Sequence, residues 1–368
     1  MSERVRVAYT VMQSWHRVPG GTATSVLSLA RELATRDDLD LVGVGPWIGG
    51  VPAAPWTPPI PVRRLPGPYQ LIYDVWHHSP LLSPTWVVPG ADVVHATTTM
   101  MPPKGTAKLV ATIHDLFPLS APEQFSPRGV RMMTRGIELA RRHADLVCCP
   151  SEDTLVDCLA AGFDQDRLRV VPWGATAAPV TAADRARIRE RYRLDGPFVL
   201  WVGTIEPRKN LPTLLEAFRR IQPTDEDLVL VGPVGWHEQL EGHIEGVGSK
   251  VRQLGFVPDD DLAALYAEAR VFCFPSIREG FGLPALEAMA HGTAVIASQG
   301  TAVAEVVGDA GLVVPALSID GWADALSEVL ENRERRETLA ADGLERSRQF
   351  TWERCADQMS AIYHEVAR

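Results

Sequence analysis

Nowhere do apolar residues approach the ~18 in succession that a membrane-spanning helix needs, so any membrane contact is expected to be peripheral. Cysteine is sparse: Cys148, Cys149, Cys158, Cys273 and Cys355 are odd in number and scattered. With no C-x-x-C pair they predict neither a disulfide framework nor a zinc site, and they read as reduced thiols of a cytosolic protein. Cys148 and Cys149 are neighbours on a predicted strand and should point to opposite faces. No histidine cluster suggests a metal and no short repeat recurs. No Gly-x-Gly-x-x-Gly follows the first strand, and Gly43-Val-Gly45 leads into Pro46-Trp47 rather than a helix, which argues against a nicotinamide site. Positive charge is in deficit. The formal net charge of -10 favours solubility and argues against broad nucleic-acid binding, because counterion release needs a Lys/Arg surface.

What is present is ordinary globular material. The chain has 368 residues, 46% hydrophobic and 22% charged, enough to bury two cores. It enters a predicted strand at Val5, which leaves no room for a signal peptide as an expectation. Short β-branched runs alternate with helical patterns. In the first half the predicted strands are Val5–Val11, Leu39–Val44, Asp92–Ala96, Leu109–His114, Asp145–Pro150 and Leu168–Pro172. In the second they are Phe198–Val202, Leu228–Val231, Gln253–Val257, Val271–Pro275, Ala294–Ser298 and Gly311–Val314.

Between them lie amphipathic helices. Over 128–144, Val130, Met133, Ile137, Ala140 and Ala144 recur at steps of three and four, one buried helical stripe. Apolar strands separated by such helices predict parallel sheets covered on both faces, an α/β fold with two doubly wound domains. The boundary is expected after Val171-Pro-Trp-Gly174, giving domains 1–174 and 175–350. The proline-rich stretch Pro52–Pro68 is expected to be a loop on the first.

The strongest motif is Pro275-Ser-Ile-Arg-Glu279-Gly280-Phe281-Gly282-Leu283-Pro-Ala-Leu-Glu287-Ala-Met-Ala-His-Gly292, directly after a predicted strand. Pro284 suits a helical first turn and Gly292 a C-terminal stop, so Glu279 falls in the loop and Glu287 in the helix. The glycines let backbone N–H groups approach an anion at a helix N-terminus, a ready site for a diphosphate. A carboxylate on each side can accept hydrogen bonds from sugar hydroxyls. Acidic residues number 46 of 368, so the spacing of two glutamates carries nothing alone. The Gly-Phe-Gly-Leu-Pro between them is what surface or capping roles leave unexplained.

A second motif is Trp201-Val-Gly-Thr-Ile-Glu206-Pro-Arg208-Lys209-Asn210-Leu, at a strand-to-helix loop. Arg208 as a bidentate fork and Lys209 as a point charge suit a phosphate pair, against the plainer reading of a solvated basic loop. A third is Gly20-Gly21, opening a helix after the first strand, where a plain turn is as good a reading. A fourth is His114-Asp115 at the end of a buried strand, where open α/β sheets bind ligands; a satisfied core histidine is the bland alternative. Asp259-Asp-Asp261 reads as a helix N-terminus, and Gly246-Val-Gly-Ser-Lys250 has the wrong order for a P-loop.

On these residues, and over essentially its whole length, the chain resembles the retaining glycosyltransferases of family 4, whose hallmark is Glu, seven residues, Glu in this context. The resemblance implies the GT-B fold: two Rossmann-like doubly wound domains facing a central cleft, with a last helix (351–368) packing back on the first. It implies a hexosyltransferase with no metal and no cofactor beyond its substrate. Glu279 would contact the donor sugar and Glu287 the ribose, Arg208 and Lys209 the diphosphate, and Gly280 to Leu283 the same ligand. Gly20-Gly21 would match the family's glycine loop, His114 would meet the donor sugar, and Asp115 would orient His114 or its loop. Leu254-Gly-Phe256-Val257-Pro resembles the base-binding turn. Thr204 departs from the arginine many members carry right after the strand-ending glycine, a departure for which Arg208 would compensate.

The partners implied are a nucleotide-sugar donor, GDP-mannose first or a UDP-sugar, and a glycan or lipid-linked acceptor. The location implied is the cytoplasm, with peripheral contact at the inner membrane face as an option. On 128–144, Arg128, Arg131, Arg135 and Arg142 lie off the stripe; a solvated face and anionic-lipid docking are the two readings. A non-catalytic GT-B module that binds a nucleotide sugar is the competing function. A GT-B epimerase or phosphorylase is a further one, and no lysine context for pyridoxal phosphate is evident.

Overall fold

The computed structural model describes residues 4–223, 225–235, 244, 246 and 248–368; Val247, within the Gly246–Lys250 segment, lies outside the described residues. Two compact units emerge, one built from residues up to Trp173 together with Trp352–Arg368, the other from Gly174–Thr351. Each owns a separate hydrophobic core.

The N-terminal unit holds seven parallel strands: β1 (Val5–Thr10), β2 (Leu39–Pro46), β3 (Val62–Leu65), β4 (Val93–Ala96), β5 (Lys108–Thr112), β6 (Leu146–Cys149) and β7 (Leu168–Val170), in the order β3-β2-β1-β4-β5-β6-β7. The C-terminal unit holds β8 (Phe198–Val202), β9 (Asp227–Val231), β10 (Val251–Gly255), β11 (Val271–Phe274), β12 (Val295–Gln299) and β13 (Leu312–Pro315), in the order β10-β9-β8-β11-β12-β13. Counted from its own first strand, each sheet begins 3-2-1-4-5-6, the doubly wound arrangement. The order reverses between β1 and β4 and between β8 and β11, and ligands bind at such switch points.

One expectation is corrected. Pro52–Pro68 is not all loop, because β3 lies within it and pairs in parallel with β2. As an edge strand it buries only Leu65 and exposes Arg63, so it carries no apolar run, and charge on an edge also discourages unwanted pairing.

The helix Pro127–His143 buries Ile137 and Ala140, with Ala144 beyond its end, and half-buries Val130 and Met133. Arg128 pairs with Asp74 at 2.8 Å, and Arg135 and Arg142 both pair with Glu138. All five cysteines are buried and free; Cys149 and Cys158 pack with their sulfurs 3.7 Å apart.

The helix Trp352–Ala367 completes the N-terminal unit by burying Cys355, Ala356, Met359, Ile362 and Tyr363. The Tyr363 hydroxyl lies 2.6 Å from His95 Nδ1, while His95 Nε2 reaches Thr112 Oγ1 at 2.8 Å. Both imidazole nitrogens are thus satisfied in a buried site, where an orphan would cost on the order of 1–3 kcal/mol. No described helix is long and apolar enough to cross a membrane.

Candidate functional site

In the C-terminal unit the loops leaving the neighbouring strands β8 and β11 are stitched into one surface. After β8 the chain turns through Pro207–Lys209 and reaches Asn210 at φ +54°, the left-handed region. Asparagine tolerates that conformation because its short amide can bond locally. Here Asn210 Nδ2 donates to Pro275 O at 3.0 Å and Ala316 O at 2.7 Å, and its Oδ1 accepts from Thr213 Oγ1 at 2.8 Å. Ile277 N donates to Arg208 O at 2.8 Å, closing the join.

This join brings four charges together. Lys209 Nζ lies 2.7 Å and Arg208 Nη1 3.0 Å from the same atom, Glu279 Oε1. Arg208 Nη2 also lies 2.6 Å from Glu206 Oε1, and Lys209 Nζ stands 4.8 Å from the centre of the Phe274 ring. Glu206, Lys209 and Glu279 are buried. Burial by itself would raise the Glu279 carboxyl, but Lys209 and Arg208 hold it below the ordinary value. Burial, with Arg208 alongside, pushes the Lys209 ammonium down, against the opposing pull of Glu279. The result is an ion cluster of two cations and two carboxylates that balance.

The motif helix Leu283–Ala290 begins where expected. Gly282, at φ +104°, precedes it, and a Cβ there would stand 2.7 Å from Val303 Cγ2, so only glycine fits. Pro284 is in the first turn and Gly292 follows the end at φ +72°. Phe281 and Leu283 are buried, and the Phe281 ring packs edge-on to Phe350 at 6.1 Å. Gly280 joins Glu279 to this buried stretch.

Glu287 faces a different environment from Glu279. It accepts from the Tyr266 hydroxyl at 3.0 Å. Burial pushes its carboxyl up to about 7; Asp259 adds to the rise and the Tyr266 hydrogen bond opposes it. In the turn after β10, Val257 is buried while Phe256 is 65% exposed. Asp259, Asp260 and Asp261 form the first turn of the helix Asp259–Glu268, and Asp261 pairs with Arg187 and Arg191.

The remaining residues singled out in the sequence belong to the N-terminal unit. Gly20 opens the helix Gly20–Leu33 at φ +62°, and no atom lies within 4 Å of a Cβ built on Gly20 or Gly21. His114 follows β5. Its Nε2 lies 2.7 Å from Thr97 O, so that nitrogen carries the proton, and the buried Nδ1 has no partner. Burial pushes the ring down to about 4, so it is neutral at physiological pH. Asp115 Oδ1 accepts from Phe117 N at 3.1 Å and so holds the turn.

Sequence reasoning passed over three residues that build the site. Glu206 was visible inside Glu-Pro-Arg-Lys as a second acid beside the cations. Tyr266 and Asn210 act across 21 and 65 residues, separations that no local pattern encodes. Among the described residues no group of three His, Cys, Asp or Glu could hold a metal ion.

Comparison with known proteins gives the family. Residues 184–346 match the pattern of glycosyl transferases group 1, and residues 19–177 that of glycosyltransferase family 4. The chain is 33% identical over 271 residues to the O-antigen chain mannosyltransferase B of Escherichia coli, which is 71% of each chain. It is 39% identical over 178 residues to the phosphatidyl-myo-inositol mannosyltransferase of Mycobacterium leprae, 47% of each. With the D-inositol 3-phosphate glycosyltransferase of Corynebacterium efficiens it shares 34% over 242 residues, and the match spans 57% of that relative.

Two solved structures share the fold. The sucrose-phosphate synthase of Thermosynechococcus elongatus superposes with a TM-score of 0.78 at 23% identity, covering 98% of this chain and 99% of that one. Anabaena HepE in complex with UDP and glucose gives 0.77 at 21% identity, covering 98% and 100%. Fold and relatives together define a nucleotide-sugar-dependent hexosyltransferase of the GT-B class. The chain belongs to glycosyltransferase family 4.

Proposed function

We propose that the chain is a retaining mannosyltransferase that takes GDP-mannose and passes the sugar to a glycan or lipid-linked acceptor without a metal ion. The observation that carries this reading is the sharing of Glu279 Oε1 between Lys209 and Arg208 at 2.7 and 3.0 Å. A donor diphosphate arriving here competes for both cations, and each cation it takes leaves Glu279 free to accept a hydrogen bond from the sugar. Arg208 and Lys209 thereby do what a divalent ion does elsewhere: they stabilise the charge growing on the leaving group. Similarity to two mannosyltransferases supports mannose.

In this reading the acceptor hydroxyl attacks the anomeric carbon from the face the diphosphate leaves. The carbon–phosphate-oxygen bond breaks as the new glycosidic bond forms, and the hydroxyl proton passes to the departing phosphate oxygen, releasing GDP. Gly280 to Leu283 and the helix N-terminus offer backbone N–H groups to the phosphates. Glu287 takes the ribose hydroxyls, and the exposed Phe256 with Val257 borders the base. In the N-terminal unit, His114 offers the unpartnered Nδ1 as an acceptor for a sugar hydroxyl, and the open space around Gly20 and Gly21 admits ligand.

The test is a thermal-shift screen of GDP-, UDP- and ADP-sugars, followed by donor turnover with and without EDTA. Stabilisation by GDP-mannose with EDTA-insensitive turnover is expected. Preference for a UDP-sugar would reassign the donor, tight binding without turnover would favour the non-catalytic module, and loss of turnover on chelation would overturn the metal-free mechanism.

A further inference from the structure

A second concave site lies in the N-terminal unit, at the carboxyl ends of β1, β2 and β3. It is a pocket of about 320 Å³ lined by Ser14, Trp15, Ile48, Gly49, Tyr69 and Gln70, the other two lining residues being prolines. That volume lies within the range of small-molecule sites, which pair an apolar lining with a few placed polar groups.

Its rings are held in place. A Cβ at Gly45 or Gly49 would stand 2.8 or 2.7 Å from the Trp15 indole, so two glycines make room for it. Trp15 Nε1 donates to Gly50 O at 3.0 Å. Tyr69 stacks on His16 with ring centres 4.6 Å apart, and His16 Nε2 lies 3.1 Å from the Tyr73 hydroxyl. Beside these rings lies Ser14, 5% exposed, whose Oγ has no hydrogen-bond partner. The rim is apolar, with Ile48 58% exposed.

The lining selects among ligand classes. None of the eight lining side chains carries a charge, and the cation beside them, Arg64, is engaged over the Trp15 ring at 5.8 Å and on Gly50 O at 3.1 Å, so a phosphate would find little to replace its hydration. A purely apolar chain would leave the Ser14 hydroxyl buried and unpaired. A neutral ring with one face of C–H groups and an edge of hydroxyls meets both demands: the face lies on the aromatic ring and a hydroxyl pairs with Ser14.

We infer that this pocket binds a neutral hexopyranose unit of the acceptor glycan, against Trp15 and Tyr69 with a hydroxyl on Ser14. The inference rests on the reading of the chain as a transferase with a glycan acceptor, and it adds where and how one acceptor sugar is held.

The experiment is saturation-transfer NMR on the full chain with methyl α-mannopyranoside, methyl α-glucopyranoside and methyl α-galactopyranoside, with octyl phosphate and inorganic phosphate as counter-probes. At least one hexoside should receive saturation on its ring C–H protons. Ile48→Arg, which intrudes from an exposed position, should abolish that binding. Ser14→Ala, which removes a single hydrogen bond, should weaken it about fivefold. Melting curves of both variants exclude misfolding. Saturation of no hexoside, preference for octyl phosphate or inorganic phosphate, or hexoside binding that survives both substitutions overturns the inference. Failure of the donor reading shows separately, as absence of any thermal shift with sugar nucleotides.

Discussion

Lys209 Nζ and Glu279 Oε1 stand 2.7 Å apart in the interior of the C-terminal unit. A buried pair like this contributes little net stability, because desolvation offsets much of the attraction, whereas removing one partner strands the other. Its value lies in what a ligand can do to it. In the proposed reading, an incoming diphosphate would meet cations already oriented and a carboxylate ready to be released.

Lys209→Ala should therefore weaken nucleoside-diphosphate binding. A charge-assisted hydrogen bond is worth about 1.5–3 kcal/mol, or roughly 10- to 150-fold in Kd. Calorimetric titration of GDP and UDP reads this directly, and an unchanged Kd for whichever binds removes Lys209 from the site.

Glu279→Ala should lower turnover by at least about tenfold, the loss of one charged hydrogen bond in the transition state. The fold should survive, but the melting temperature should fall because buried Lys209 loses its nearest counter-ion. Added nucleoside diphosphate should then raise the melting temperature of the variant more than that of the wild type, since the ligand supplies the missing negative charge. Wild-type turnover in the variant would refute the role.

Glu287 gives a pH signature. Its folded-state carboxyl is pushed up to about 7 from an ordinary 4.5, so between those values the folded chain holds a proton that the unfolded chain has lost. Its contribution to stability is complete below pH 4.5 and disappears as pH rises through about 7. Glu287→Gln, which cannot ionise, should flatten that decline in melting temperature. If the carboxylate accepts ribose hydroxyls, nucleotide affinity in the wild type should strengthen as pH rises through about 7, and the glutamine variant should lack that inflection.

His114 should give no such inflection. Its ring is pushed down to about 4, so it stays neutral across the usual assay range. His114→Ala should reduce kcat/KM without altering the shape of the pH–rate profile between 5 and 8. A histidine limb near 6.5 that vanished in the variant would contradict a neutral acceptor role.

The sheets were readable because strands such as β8 and β11, covered on both faces, appear as unbroken apolar runs. β3 escaped because an edge strand that buries one residue in four carries no such run. The motif helix was readable from its punctuation, Pro284 and Gly292, each of which has a backbone reason to be there. The Arg208–Lys209 pair was readable as a candidate phosphate grip. Its neutralisation by Glu279 was not, since the two loops meet only through tertiary folding. Arg128, Arg135 and Arg142 looked alike as a basic face, yet each has a carboxylate at hand; Asp74 lies far away in sequence, and a lone Glu138 gives no hint that it serves two arginines.

The helix Trp352–Ala367 has a consequence for biosynthesis. Residues 174–351 leave the ribosome before it does, so the C-terminal unit has its described strands in hand while the N-terminal one still lacks the surface that covers His95. Domains ordinarily mature in the order of translation. Here the second unit can finish first, and a nascent chain halted near residue 350 would display an N-terminal unit still lacking the helix that sets Tyr363 against His95.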